Sequence, residues 1–253
     1  MNHLSKLFIV IFVAALWIAS GCKKLPTDTS LLVLNFNPYF GSDSLVLGKS
    51  YRNAAGDSIS FGRTSFYVSQ IQLITTDGIG VAVPGFILVT PTTGQNIIAG
   101  SVPTGTYKSI SFSIGIQADS NHIDPSNYAS GPLGVQTPAM HFSTDANGYI
   151  FMAAEGLIDS THNNQSPNKA FSYHIGTDSL YKTVNLPDHS GSPYNSVFNA
   201  TGTKVLTINV IADFGQLLQN INVAQQPVTN STDYVLLADS LAAHIPATFR
   251  YQN

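Results

Sequence analysis

The chain has 253 residues, a net charge of −3 at neutral pH, charged side chains at only 10% and a single cysteine. An average soluble protein carries roughly a quarter charged residues. Here Asn, Ser, Thr and Gly fill the polar positions, and no basic cluster offers an electrostatic footprint for nucleic acid.

At the N-terminus Lys6 precedes an unbroken apolar run, Leu7 to Ala19. The run is about 13 residues, short of the roughly 20 that a spanning helix needs. It reads as the apolar region of a secretory signal. Ala19-Ser20-Gly21 and then Cys22 resemble a bacterial lipobox. That resemblance implies cleavage before Cys22 and acylation there, with several chains giving a stable membrane anchor. The other reading is ordinary signal cleavage with a spare thiol. The expected division is 1–21 signal peptide, 22–30 lipidated tether and 31–253 folded domain. The folded part then contains no cysteine, so its core must hold it without disulfides.

Leu31 to Phe36 is a first expected strand, with Leu32, Leu34 and Phe36 on one face. A short strand is expected at Leu45-Val46-Leu47, another over Ser58 to Phe61, and a long one over Phe66 to Ile74. Asp77-Gly78 is a strong turn signal. Val81 to Thr90 continues as strand, with Pro84 marking an edge or bulge. Thr106 to Ile116 alternates with period two, one face buried and one wet. Ala118 to Thr137 is a long irregular loop, a length uncommon unless functional.

Met140 to Gly156 comes next. A polar loop with His141 and Asp145 leads into a strand that is apolar on both faces. Tyr149, Phe151, Ala153 and Glu155 share one face, and Ile150, Met152 and Ala154 the other. Such a strand is central. After a polar loop with His162, Ala170 to Ile175 is a strand with His174 opposite Phe171, Tyr173 and Ile175. Further strands are expected over Leu180 to Leu186 and Val205 to Phe214. Helix is confined to a turn or two at Asp213 to Leu218 and a short helix at Asp233 to Ala243. Eight to ten short strands with turns between them predict a sandwich or barrel. The expected architecture is all-β: one antiparallel β-sandwich domain with long loops and one or two short helices.

The chain has no G-x-S-x-G elbow, no Gly-rich phosphate loop and no H-E-x-x-H. No cysteine nucleophile lies in the folded part, so the expectation is a protein that is not an enzyme. Metal is the better candidate, because imidazole suits copper and zinc. Six of the seven histidines lie beyond the signal, at 122, 141, 162, 174, 189 and 244. None are spaced as a local chelate, so a site must be assembled from distant loops and strands. His141, His174 and His122 are the candidate ligands. His162 and His189, in polar loops, read as satisfied or solvated side chains, and His244 beside Ile245-Pro246 as structural. Glu155 either hydrogen-bonds loop backbone or a Tyr hydroxyl, or orients a ligating histidine. Tyr149 belongs to the same candidate surroundings.

Several stretches together resemble the MbnP-like proteins, a family of extracytoplasmic copper-binding proteins associated with methanobactin use. They are Phe66 to Leu73 before Asp77-Gly78, Val102 to Phe112 with Ile114-Gly115, Met140, Gly148 to Met152 with Glu155-Gly156, Phe171 to Gly176, and Ile208 to Phe214. The resemblance implies a β-sandwich lipoprotein of the bacterial cell envelope, on the periplasmic face or the outer surface of the outer membrane. It implies copper bound through histidines and a di-haem peroxidase-like partner that oxidises a Trp to kynurenine. The family carries Met-x-Trp-x-Trp before its Gly-Tyr. Here those places hold Phe142 and Thr144, and the one Trp, Trp17, lies in the signal. The kynurenine chemistry therefore has no substrate residue in the folded part. The alternative reading is a metal-free module that binds a protein or glycan through its Tyr-, Asn- and Ser-rich loops. A third, a hydrolase, lacks a visible nucleophile and base.

Overall fold

The computed structural model describes residues 28–252 apart from 92–93, 144–146, 162, 164–165 and 203. The expected signal and Cys22 lie outside the described residues, as do Thr144, Asp145 and His162. The strands in chain order are β1 (Thr29–Phe40), β2 (Asp43–Ser44), β3 (Ser50–Arg52), β4 (Ser58–Thr75), β5 (Gly80–Val83), β6 (Ile87–Val89), β7 (Ile97–Pro103) and β8 (Gly105–Ile114). They continue with β9 (Ile150–Ile158), β10 (Lys169–Gly176), β11 (Lys182–Asn185), β12 (Phe198–Ala200), β13 (Leu206–Asp213), β14 (Val228–Thr229) and β15 (Phe249–Tyr251). Among the described residues three α-helices accompany them: α1 (Ala118–Asn121), α2 (Phe214–Leu217) and α3 (Val235–Thr248). None is long and apolar enough to cross a membrane.

Two sheets face each other. The smaller runs β15-β13-β1-β2, with β7 also on β1. The larger runs β11-β8-β4-β9-β10-β14, with β3, β5 and β6 on β4 and β12 on β8. This is the expected two-sheet, mostly β architecture. One pairing in each sheet departs from the antiparallel pattern. β1 runs parallel to β13, from Leu32↔Leu206 to Tyr39↔Asp213, and β10 runs parallel to β14. Alternating apolar residues in β1 and β13 fit either direction, so direction was not readable from them.

β4 is the spine. At 18 residues it joins the two strands expected separately, Ser58–Phe61 and Phe66–Ile74. Gly62-Arg63-Thr64-Ser65 looks like a break in the sequence. In the fold β9 pairs with this segment, Arg63↔Glu155 through Ser65↔Ala153, so the backbone stays extended. The strand expected over Val81 to Thr90 is divided into β5 and β6 around Pro84. Leu45-Val46-Leu47 forms no strand, and α3 runs on to Thr248 with Pro246 inside it.

Between the sheets lies an aromatic core. Phe36 of β1 meets Phe66, Phe112 and Phe249 edge-on, with ring centroids 5.6, 5.6 and 6.4 Å apart. The second face of β9 is also covered. Tyr149, Phe151 and Ala153 pack with Tyr67, Ile116, Leu133 and Met140 beneath the segment that follows β8. β9 is thus buried on both faces, as its sequence predicts. Gly156 marks its closest approach to β4. A Cβ there would collide with the Ser60 carbonyl and the Phe171 ring.

Candidate functional site

Three adjacent strands of the larger sheet bring polar side chains together on its outer face. Arg63 of β4 lies opposite Glu155 of β9. On the other side of β9, Ser172 of β10 lies opposite Glu155 and His174 opposite Ala153. Glu155 Oε1 accepts from Arg63 Nη1 at 2.7 Å and from His174 Nε2 at 2.8 Å. The His174 ring is also 3.3 Å from Ser172 Oγ. The Arg63, Glu155 and His174 side chains are 11%, 32% and 28% exposed. Burial raises the proton affinity of Glu155, but the hydrogen bond from His174 and the charge and hydrogen bond of Arg63 outweigh it. Its net pKa is lowered, and the carboxylate stays ionised. An ionised acceptor takes the Nε2 hydrogen, so in the neutral ring the His174 lone pair lies on Nδ1.

Arg63 continues this chain of contacts. Its Nη2 donates to the Ala139 carbonyl at 2.7 Å and sits 2.9 Å from Met140 Sδ. The residue after Met140 is His141, bridged to Tyr149 at the entry to β9. His141 Nδ1 donates to the Phe142 carbonyl at 2.6 Å, which leaves the ring lone pair on Nε2. The imidazole meets the Tyr149 ring edge-on at 4.9 Å. Tyr149 is fully buried, donates its hydroxyl to the Leu133 carbonyl and stacks edge-on against Tyr67. It therefore supports His141 rather than Glu155. Gly148 just before it has φ +69°, and a Cβ there would strike the Asn121 amide. That amide in turn accepts from Tyr149 N at 2.8 Å.

His122 lies at the end of α1. Its Nε2 is 3.0 Å from Asp178 Oδ2, and Asn121 Nδ2 donates to the other oxygen at 2.7 Å. The hydrogen bond from His122 is the largest influence on Asp178 and lowers its pKa. Both side chains are more than two-fifths exposed.

The three candidate ligands are therefore held separately. The register partners of His141 and His174, Tyr149 and Ala153, are four residues apart, about 13 Å along β9. Among the described residues, no three His, Cys, Asp or Glu side chains gather as a metal ion would need. A three-histidine copper centre does not fit this arrangement. Glu155 meets Arg63 and His174, and among the described residues neither loop backbone nor a Tyr hydroxyl. His244 is structural, with Nδ1 3.0 Å from the Leu217 carbonyl. His189 is satisfied within the protein, with Nδ1 2.6 Å from Ser196 Oγ and its ring stacked 4.3 Å from Tyr194 of the same loop, Phe198 and Tyr251 alongside.

Sequence reasoning missed Arg63 and the role of Met140. The available signal was the lone glutamate on an otherwise apolar strand. A half-buried carboxylate needs partners, and the fold supplies Arg63 as well as His174.

The solved structure of MbnP from Methylosinus trichosporium is similar to this one, with a TM-score of 0.52 over 76% of this chain and 78% of that chain. At 14% identity it speaks for the fold alone. No curated protein sequence matches the chain. The family model described as MbnP matches residues 29–232, most of the folded domain. The two sheets, the doubly covered β9 and this match together place the chain in the MbnP family.

Proposed function

We propose that this MbnP-family domain is a non-catalytic binding protein of the bacterial cell envelope, tethered by lipid on Cys22 and holding copper through His174, with His141, about 13 Å farther along β9, too distant to share the ion. The observation that carries the reading is His174 fixed by Glu155. A carboxylate on the far nitrogen of an imidazole is the usual way a protein aims a metal ligand. Family membership supports copper as the metal to try first. His122 belongs to its own exposed pair with Asp178 and is left out of the site. A di-haem peroxidase-like protein is the proposed partner. With Phe142 and Thr144 where the family has Trp, this copy would serve it by holding the metal and not by supplying an oxidised residue.

Calorimetry with cuprous ion under reducing conditions tests the reading. His174→Ala is expected to weaken binding by at least about tenfold, Glu155→Gln by ten- to a hundredfold, and His141→Ala to leave it unchanged. Unchanged affinity in His174→Ala would overturn the site. Absence of binding by the wild type would overturn the function.

A second reading has its own observation. Each candidate histidine already has a partner within the protein: Asp178, the Phe142 carbonyl or Glu155. That favours a metal-free module presenting its loops to a protein or glycan. Wild-type protein that takes up no copper yet keeps the His174–Glu155 contact would support it.

A further inference from the structure

We propose that the cavity beside Arg63 binds a small monocarboxylic acid with a short apolar tail, gripped by the guanidinium edge formed by Nε and Nη2. The inference goes beyond the copper reading and does not rest on it. The cavity measures about 330 Å³ and is walled by Leu47, Leu88, Pro91, Pro138 and Met140, with Arg63 in its lining. That is the small end of the roughly 300–1,000 Å³ range of ligand pockets, and Ser65, Thr90, Gln136 and Thr137 line it beside these apolar walls.

The polar group that points to the ligand class is Arg63. Its Nη1 is taken by Glu155. Its Nη2 has the Ala139 carbonyl at 2.7 Å, the Pro138 carbonyl at a long 3.4 Å and the Met140 sulfur, and a thioether is a weak acceptor. Its Nε is buried and makes no hydrogen bond among the described residues. Buried N–H groups are nearly always paired, so an unpaired one calls for an explanation. On a guanidinium, Nε–H and one Nη2–H lie parallel and match the two oxygens of a carboxylate. The edge that Glu155 leaves open is that edge.

Met140 is the movable wall. It is unbranched, with a soft side chain that changes rotamer at little cost. Turning its sulfur off Nη2 exposes the edge to the cavity that it also lines. Glu155 sets the charge of the guest. With one carboxylate already on the guanidinium, a monoanion is accepted and a dianion is repelled. The aliphatic walls suit a tail of a few carbons, which gains about 0.8 kcal/mol per buried methylene.

Titration calorimetry on chelator-treated protein, with hexanoate as probe and hexanamide and succinate as controls, tests the proposal and keeps it separate from copper. Hexanoate is expected to bind, with both controls weaker by about tenfold or more, the size of one charge-assisted hydrogen bond. Arg63→Lys keeps the charge beside Glu155 but removes the fork, and is expected to lose at least about tenfold. Met140→Leu keeps the volume without the sulfur, and is expected to bind hexanoate as tightly as wild type or more tightly. Leu88→Phe, which fills the cavity, provides a second variant should Arg63→Lys unfold, and is expected to abolish binding. The proposal is overturned by no binding of hexanoate to wild type, by equal binding of hexanamide, or by unchanged binding in a folded Arg63→Lys or Leu88→Phe protein.

Discussion

Two histidine–carboxylate pairs flank β10, and they differ in nearly everything except their length. His174–Glu155 is 2.8 Å and His122–Asp178 is 3.0 Å. The first lies in the middle of a sheet, about a third exposed, with Arg63 as a third charged member. The second lies between a four-residue helix and a turn, with Asn121 as its third member. Exposed pairs are screened and lose side-chain entropy, so they contribute little. A half-buried group that loses its partner is left with an unmet charge. The sheet pair is therefore the one whose geometry is enforced, and the one suited to aim a ligand.

Three changes sharpen or break this contrast. The largest effect is expected at Gly156, beside Glu155. Adding a methyl group there drives it into the Ser60 carbonyl and pushes β4 from β9, which separates Arg63 from Glu155. Gly156→Ala should cost at least about 3 kcal/mol in urea denaturation. A fully stable Gly156→Ala protein would mean that β4 and β9 are not held at this spacing.

Next comes Glu155→Gln, which leaves Arg63 buried without its counter-charge. A loss of about 1–2 kcal/mol at neutral pH is expected. The pH dependence carries the sign. The folded pKa of Glu155 lies below its ordinary value of 4.5. Its stabilisation is thus complete above that ordinary value and disappears as pH falls through the lower folded value. The difference between wild type and Glu155→Gln should shrink across that acid window and be constant from about pH 6 upward. A gap that persists at pH 2 would assign the loss to packing instead.

The smallest effect is expected from Asp178→Asn. It keeps an oxygen for Asn121 and removes the charge beside His122. A change of about 0.5 kcal/mol or less is expected by thermal unfolding, fading with added salt. A loss as large as that of Glu155→Gln would erase the distinction between the two pairs.

How far each pair was legible follows from how local its causes are. His174 was readable as a strand residue, and the two-faced apolar pattern of Tyr149 to Ala154 placed β9 at the centre of a sheet; Glu155 read as a strand end but lies inside β9, because pairing with β4 and β10 continues to Ile158. Arg63 was not singled out, because Gly62-Arg63-Thr64-Ser65 carries no strand pattern by itself and becomes extended only through pairing with β9. His122 stood as a candidate ligand because nothing in the sequence announces Asp178, 56 residues away, as its partner. The resemblance to the family identified the right stretches, and its two missing indoles are visible in the sequence alone.

By itself, then, the sequence determined the all-β class, the alternation of β8 and β13, the burial of β9 on both faces and the family. Those properties follow from periods of two and from turn residues, which act over a few positions. Only the tertiary structure decided that β1 runs parallel to β13, that β4 is one strand, and that Glu155 lies between Arg63 and His174. It also kept the three candidate histidines in separate settings. These are matters of register and strand order, fixed by side chains tens to hundreds of positions apart, and a one-residue change of register turns every side chain to the other face.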